Sequence, residues 1–151
     1  MEKMKKKVYL DICCLNRPFD DQTQERIRLE AEALLLILEA VQESRCELIG
    51  SRVLDVENRN NPDEEKRREI GNCLRLAGTY VYTDRNVLER AGELQGSGFD
   101  AYDAMHLACA EQANADVFIT TDDKIRKKSE QVDVLKVRVV NPVDLVGGFN
   151  L

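Results

Sequence analysis

Apolar positions fall along this chain in two alternating rhythms. Short continuous runs ("KVYLDI", "CELIGS", "TYVYT", "DVFIT" and "VLKVRVV") have the length and the β-branched or aromatic content of buried strands. Between them apolar residues recur every three or four positions. From about Glu25 to Glu43, Ile27, Ala31, Leu34, Leu35, Leu38 and Val41 mark one face of an amphipathic helix, with Glu, Arg and Gln on the others. Ser51 is placed to cap a short helix through "RVLDVENR". In "NNPDEEKRREIGNCLRLAG", Asn61 suits a cap, Pro62 the first turn and Gly78 the stop. "DRNVLERAGEL" runs into the Gly96-Ser97-Gly98 turn, "DAYDAMHLACAEQA" reads as a buried helix, and a basic helix starts near Asp123. "NRPFDDQTQ" reads as a turn-rich loop, and "PVDLV" as at most one turn.

Strands separated by helices predict an α/β fold: a three-layer α/β/α sandwich around a central, mostly parallel sheet of about five strands. A chain of 151 residues fits one domain over 1–151, burying roughly 70% of its unfolded surface without staples. With 43% hydrophobic and 33% charged residues it lacks the composition of a disordered chain. "MEKMKKK" is a basic start, but the apolar stretch after it meets Asp11 too soon for a signal peptide. The longest apolar run, Ala33 to Leu38, is far too short to span a bilayer, so no membrane association is expected. Five cysteines (Cys13, Cys14, Cys46, Cys73 and Cys109) contain no C-x-x-C pair and accompany one histidine, His106. That argues against zinc and for a reducing, cytoplasmic home. The net charge of −6 speaks against general nucleic-acid binding. Charge is segregated, however: "KRR" (Lys66 to Arg68) and "KIRKK" (Lys124 to Lys128) are basic, while acids gather at the ends of apolar segments.

Those acids are the candidate chemistry, because a buried carboxylate needs a partner or a metal. Sites in open α/β sheets lie beyond the carboxyl ends of the strands, where Asp11 and Asp122 both fall. Asp122, taken alone, reads first as a helix cap. Asp11 is harder to dismiss, since no helical pattern starts directly after it. Glu57 shares the apolar face of Val53 and Leu54, whereas Asp55 points toward water; partial exposure of Glu57 at the helix end is the equal alternative. Asp103 stands three residues after Asp100, the spacing of a capping box, yet it aligns with His106 and Leu107 on a buried helix. The thiols read as packing groups, and His106 as a hydrogen-bonded core histidine.

"VYLD" ending in Asp11, "SRVLDVE" ending in Glu57, "YDAMHLACAE" with Asp103 and "VFITTDDK" with Asp122 together resemble the PIN-domain nucleases, the family that includes VapC-type toxins. The resemblance runs from about Lys7 to Val146. It implies an acidic pocket of Asp11, Glu57, Asp103 and Asp122, with Asp123 a lesser accessory, holding Mg²⁺ or Mn²⁺ and hydrolysing RNA phosphodiester bonds. Hard oxygen ligands select those ions over zinc. The resemblance also implies a protein antitoxin, if the chain is a toxin, and allows a homodimer. The basic run after Asp122 is either a hold for the RNA backbone or a solvated helix face. PIN domains commonly carry a small hydroxyl residue and then Asn after the first Asp; here Ile12 and Cys13 stand there. That departure supports the alternative, a catalytically impaired PIN-like module that binds RNA or protein. A receiver or aspartyl-phosphate phosphatase fits less well, because Cys13 stands where the phosphatase type has a second Asp.

Overall fold

A computed structural model of the chain describes residues 5–148; the first four residues of the basic opening and residues 149–151 lie outside the described residues. The strands are β1 (Lys6–Leu10), β2 (Cys46–Ser51), β3 (Thr79–Val81), β4 (Val117–Ile119) and β5 (Arg138–Val140). They pair in the order β3-β2-β1-β4-β5, and every pairing is parallel. The sheet is thus wholly rather than mostly parallel. Its central strands are apolar on both faces because helices cover both. Val8 and Leu10 point to one layer with Leu34, Ile37 and Val41; Tyr9 points to the other with Leu94, Leu107 and Phe118. Each fully buried side chain of this size contributes about 1.5–3 kcal/mol relative to exposure.

The helices are α1 (Ile12–Asn16), α2 (Glu25–Gln42), α3 (Arg52–Arg59), α4 (Glu64–Leu74), α5 (Arg85–Gly96), α6 (Ala101–Gln112), α7 (Asp123–Gln131) and α8 (Pro142–Gly148). Among the described residues no helix is long and apolar enough to cross a membrane.

Four local expectations need correction. A helix does begin directly after Asp11, and a 3₁₀ turn at Arg17–Phe19 extends it into the expected loop. At five residues α1 is too short to show a period. The cap of α4 is Asp63, which accepts from the Lys66 amide at 3.2 Å, not Asn61. Pro62 disfavours helix at the residue before it, and Asn61 instead accepts from the Asp63 amide at 3.0 Å. Gly78 already belongs to the sheet edge, its amide bonded to the Leu48 carbonyl at 2.9 Å. Finally α8 has seven residues, started by Asn141, which accepts from the Val143 amide at 2.8 Å, and anchored by fully buried Leu145.

Candidate functional site

The chain lays β2 and β3 on one side of β1, then returns to lay β4 and β5 on the other. The crevice at this reversal, beyond the carboxyl ends of β1 and β4, is where an open parallel sheet leaves room for a ligand. Asp11 stands in it. Its amide donates to the Ile119 carbonyl at 2.9 Å, prolonging the ladder by one bond and setting the carboxylate at the rim. Oδ1 accepts from the Ile12 amide at 2.9 Å, and Oδ2 from the Thr120 hydroxyl at 2.9 Å and the Cys13 thiol at 3.4 Å. The side chain is held on both oxygens, so the bond that caps α1 also fixes the carboxylate in one pose. Only 6% of Asp11 is exposed, and burial pushes its carboxyl above the ordinary value, against the pull of His106 and Thr120.

Thr120 is the residue that sequence reasoning passed over. Its hydroxyl donates to Asp11 and accepts from the Asp122 amide at 3.0 Å, so one side chain positions two of the acids. The only signal was its place in "TTD" after a buried strand. Cys13 was also misjudged as packing alone. Its sulfur lies 3.4 Å from Thr120 Oγ1 as well as from Asp11, in the position where the family resemblance expects a polar residue. Cys14, in contrast, is fully buried and donates to the Ile119 carbonyl at 3.3 Å.

Asp103 lies in the first turn of α6. Asp100 occupies the N-cap position but its side chain makes no capping bond, so the reciprocal capping box is not formed. The Asp103 carboxyl is pushed up to about 6, by burial first and then by the negative charges of Asp11, Asp122 and Asp100. Asp122 caps α7, its Oδ1 accepting from the Lys124 amide at 2.9 Å. The bland reading of Asp122 therefore holds, and the residue still lies in the field of Asp103. Asp123 has another employment. Arg26 grips both its oxygens at 2.8 Å, Arg126 adds a contact at 2.6 Å, and these cations hold it well below the usual carboxylate range.

Glu57 enters from α3 through a hydrogen-bonded chain. Ser51, as expected, caps α3 by accepting from the Leu54 amide at 3.1 Å. Its Oγ lies 2.7 Å from the Tyr9 hydroxyl, which lies 2.6 Å from His106 Nδ1, and His106 Nε2 lies 2.6 Å from Glu57 Oε2. With a neutral ring, Ser51 donates to Tyr9, Tyr9 to Nδ1, and Nε2–H to Glu57; every donor then has an acceptor. His106 is 1% exposed and is the hydrogen-bonded core histidine its neighbours predicted. Burial raises the pKa of Tyr9, and the Glu57 charge adds to the upward pressure on Asp11. Asp55 departs from expectation: it accepts the Tyr80 hydroxyl rather than facing only water.

Among the described residues no lysine or arginine forms an ion pair with Asp11, Asp103 or Asp122. Cations do line the approach. A hollow of about 330 Å³ is bounded by Asp100, Asp103, Phe99, Lys124, Lys127 and Lys128. Gly98 (φ +108°) permits this, since a Cβ there would come within 2.8 Å of Lys128 Nζ. The donor set, all carboxylate oxygen under mutual repulsion, suits a hard divalent cation. Among the described residues, no three His, Cys, Asp or Glu side chains stand close enough to hold one ion together. An ion here would rest on one or two carboxylates and keep water elsewhere, which is the habit of Mg²⁺.

The PIN domain family matches residues 8–131, a span that contains all four acids. A chain from the crystal structure of VapBC2 from Rickettsia felis, bound to a DNA fragment from their promoter, is similar to this one at a TM-score of 0.55. The likeness covers 89% of this chain and 98% of that chain at 11% identity, and so speaks for the fold. No curated protein matches by sequence. With the family matched from β1 to the end of α7, and a parallel α/β/α sheet that keeps the order of its acid-bearing stretches, this chain belongs to the PIN-domain family, whose members are generally nucleases.

Proposed function

We propose that the protein is a divalent-metal-dependent endoribonuclease in which Asp11, Glu57, Asp103 and Asp122 hold Mg²⁺ or Mn²⁺, directly or through water. The observation that carries this reading is the coupling of the rim. Thr120 joins Asp11 to Asp122, while Asp103 sits high, at about 6, in the field of both. Carboxylates crowded without cations store repulsion that a bound ion relieves. When bound, the ion would activate water and stabilise the charge that develops on the phosphate. The protein's own part is orientation. Thr120 and Cys13 keep Asp11 in one pose, and the His106 chain does the same for Glu57. Asp103, raised by burial and by the charges of Asp11, Asp122 and Asp100, is the acid whose ionised form a bound cation would stabilise most. Lys124, Lys127 and Lys128 offer ammonium groups to a backbone phosphate beside the acids.

The same reading extends to a toxin of a toxin–antitoxin pair, restrained by a protein antitoxin that obstructs the acidic rim, and acting in the cytoplasm as a homodimer. Its support is the family and the VapBC2 likeness. The runner-up is an impaired binding module. It is favoured by one observation, that no three potential ligands converge among the described residues.

The deciding experiment is cleavage of single-stranded RNA by purified protein with Mn²⁺, with chelator, and as Asp11→Asn. Cleavage is expected only in the first condition. Activity that survives both chelation and substitution ends the proposal. RNA held intact without divalent ions favours the binding module.

A further inference from the structure

A second hollow opens between α3 and the start of α6. Val53, Val56 and Glu57 share one face of α3, and Tyr102, Met105 and His106 share one face of α6, both by helical spacing. His106 touches Glu57 at 2.6 Å, and the hollow is walled by their chain neighbours Val56 and Met105. It measures about 280 Å³ and is lined by Val53, Val56, Tyr102, Met105, Thr83 and Arg52. Tyr102 is 53% exposed and directly precedes Asp103, which borders the lysine-lined hollow.

From this arrangement we infer that the hollow is a subsite for one unpaired nucleobase of a single-stranded RNA, next to the phosphate that is cleaved. The inference rests on the nuclease reading of the acidic rim. Its volume lies at the small end of ligand pockets, which run from roughly 300 Å³ upward, and suits one flat ring. A docked protein helix needs a longer groove with several anchors. The lining matches a base: an exposed phenol ring for stacking, a polarisable thioether, and a guanidinium at the edge. Charge supplies the other half. Tyr102 lines this apolar hollow, and its chain neighbour Asp103 lines the one that carries Lys124, Lys127 and Lys128. A strand that seats its base on Tyr102 can carry a neighbouring phosphate to those lysines. A duplex keeps its bases stacked and offers none to the hollow. Because every base has a π face, the subsite selects strandedness more than sequence.

The test uses the full chain with Mn²⁺ and a single-stranded oligoribonucleotide carrying one 2-aminopurine, read by stopped flow before cleavage proceeds. Fluorescence should be quenched by the wild-type protein and by Tyr102→Phe, but not by Tyr102→Ala. In steady state, Tyr102→Ala should raise KM about tenfold with little change in kcat. An abasic substitution at the seated position should erase the difference between wild type and Tyr102→Ala, and a hairpin of the same sequence should be cleaved poorly. Unchanged quenching and KM in Tyr102→Ala would overturn the subsite. So would a Tyr102→Ala chain whose only change is a lost dimer in sedimentation, because the hollow would then be a face between copies. Loss of an antitoxin's binding with RNA parameters unmoved would also overturn it. Quenching without any cleavage would leave the subsite standing and remove the nuclease reading, whereas cleavage with an unmoved KM does the reverse.

Discussion

Asp122 and Asp123 are consecutive, yet they live in opposite electrostatic worlds. Asp123 is clamped by Arg26 and Arg126, and its carboxyl is pulled far down. Asp122 forms no ion pair with an arginine among the described residues, and its charge helps push Asp103 up to about 6. The same contrast continues inward. Glu30 on α2 is 1% exposed and is satisfied by Arg17 at 2.9 Å, Arg26 at 3.3 Å and Asn141 at 2.6 Å. Asp11 is almost as buried, and its hydrogen bonds come from a threonine, a thiol and an amide. Burial alone therefore does not distinguish Glu30 from Asp11. The kind of partner does: the chain gives Glu30 and Asp123 cations, while Asp11 and Asp103 lie in each other's field, and it is the second kind of acid to which the proposed function assigns a cation.

That contrast can be broken first at Asp11. Asp11→Asn keeps the shape but removes the charge and turns one accepting oxygen into a donor, and RNA cleavage should fall by on the order of 10³-fold with only a modest change in melting temperature. Glu30→Ala should do the opposite. Stranding Arg17 and Asn141 costs about 3 kcal/mol, a drop of roughly 10 °C in thermal unfolding, with cleavage per folded molecule unchanged. If Glu30→Ala inactivated the folded protein, the division between the two kinds of acid would fail.

A subtler test lies in pH. Asp103 titrates near 6 when folded against an ordinary 3.8, so the folded state prefers it protonated. Stability should fall as pH rises from about 4 through 6, and the cost should be fully present above 6. Asp103→Asn should consequently be more stable than wild type at pH 8, by about 1 kcal/mol after allowing for solvent screening of a partly buried group, and no more stable at pH 4. Denaturant titrations at the two pH values check this. Mn²⁺ should raise the wild-type midpoint at pH 8 and raise that of Asp103→Asn less. The smallest effect belongs to Cys13. Cys13→Ser should retain the contact to Asp11, whereas Cys13→Ala should slow cleavage a few-fold, the scale of one modest hydrogen bond.

Much of this molecule was readable in one dimension. Strand runs with helical periods between them predicted a layered α/β sheet, and the range of α2 and the cap on α3 followed from spacing and residue type alone. "DAMHLA" and "TTD" carried the family, which is why the four acids could be named before any coordinates. What spacing missed was α1, whose five residues are shorter than the window in which a period can be seen, and the inward turn of Glu30, an acid placed where helix polarity suggested solvent.

The amino-acid order by itself determined which segments become strands or helices and which acids end them, because hydrophobic period and capping chemistry act within a few residues. Only the folded sheet decided what each acid meets. Asp11 and Thr120 are 109 positions apart and Arg26 and Asp123 are 97, and they touch because β4 returns to pair with β1 and α2 packs near the start of α7. Side-chain electrostatics act over a few ångströms of space, and strand order sets that distance where separation along the chain does not.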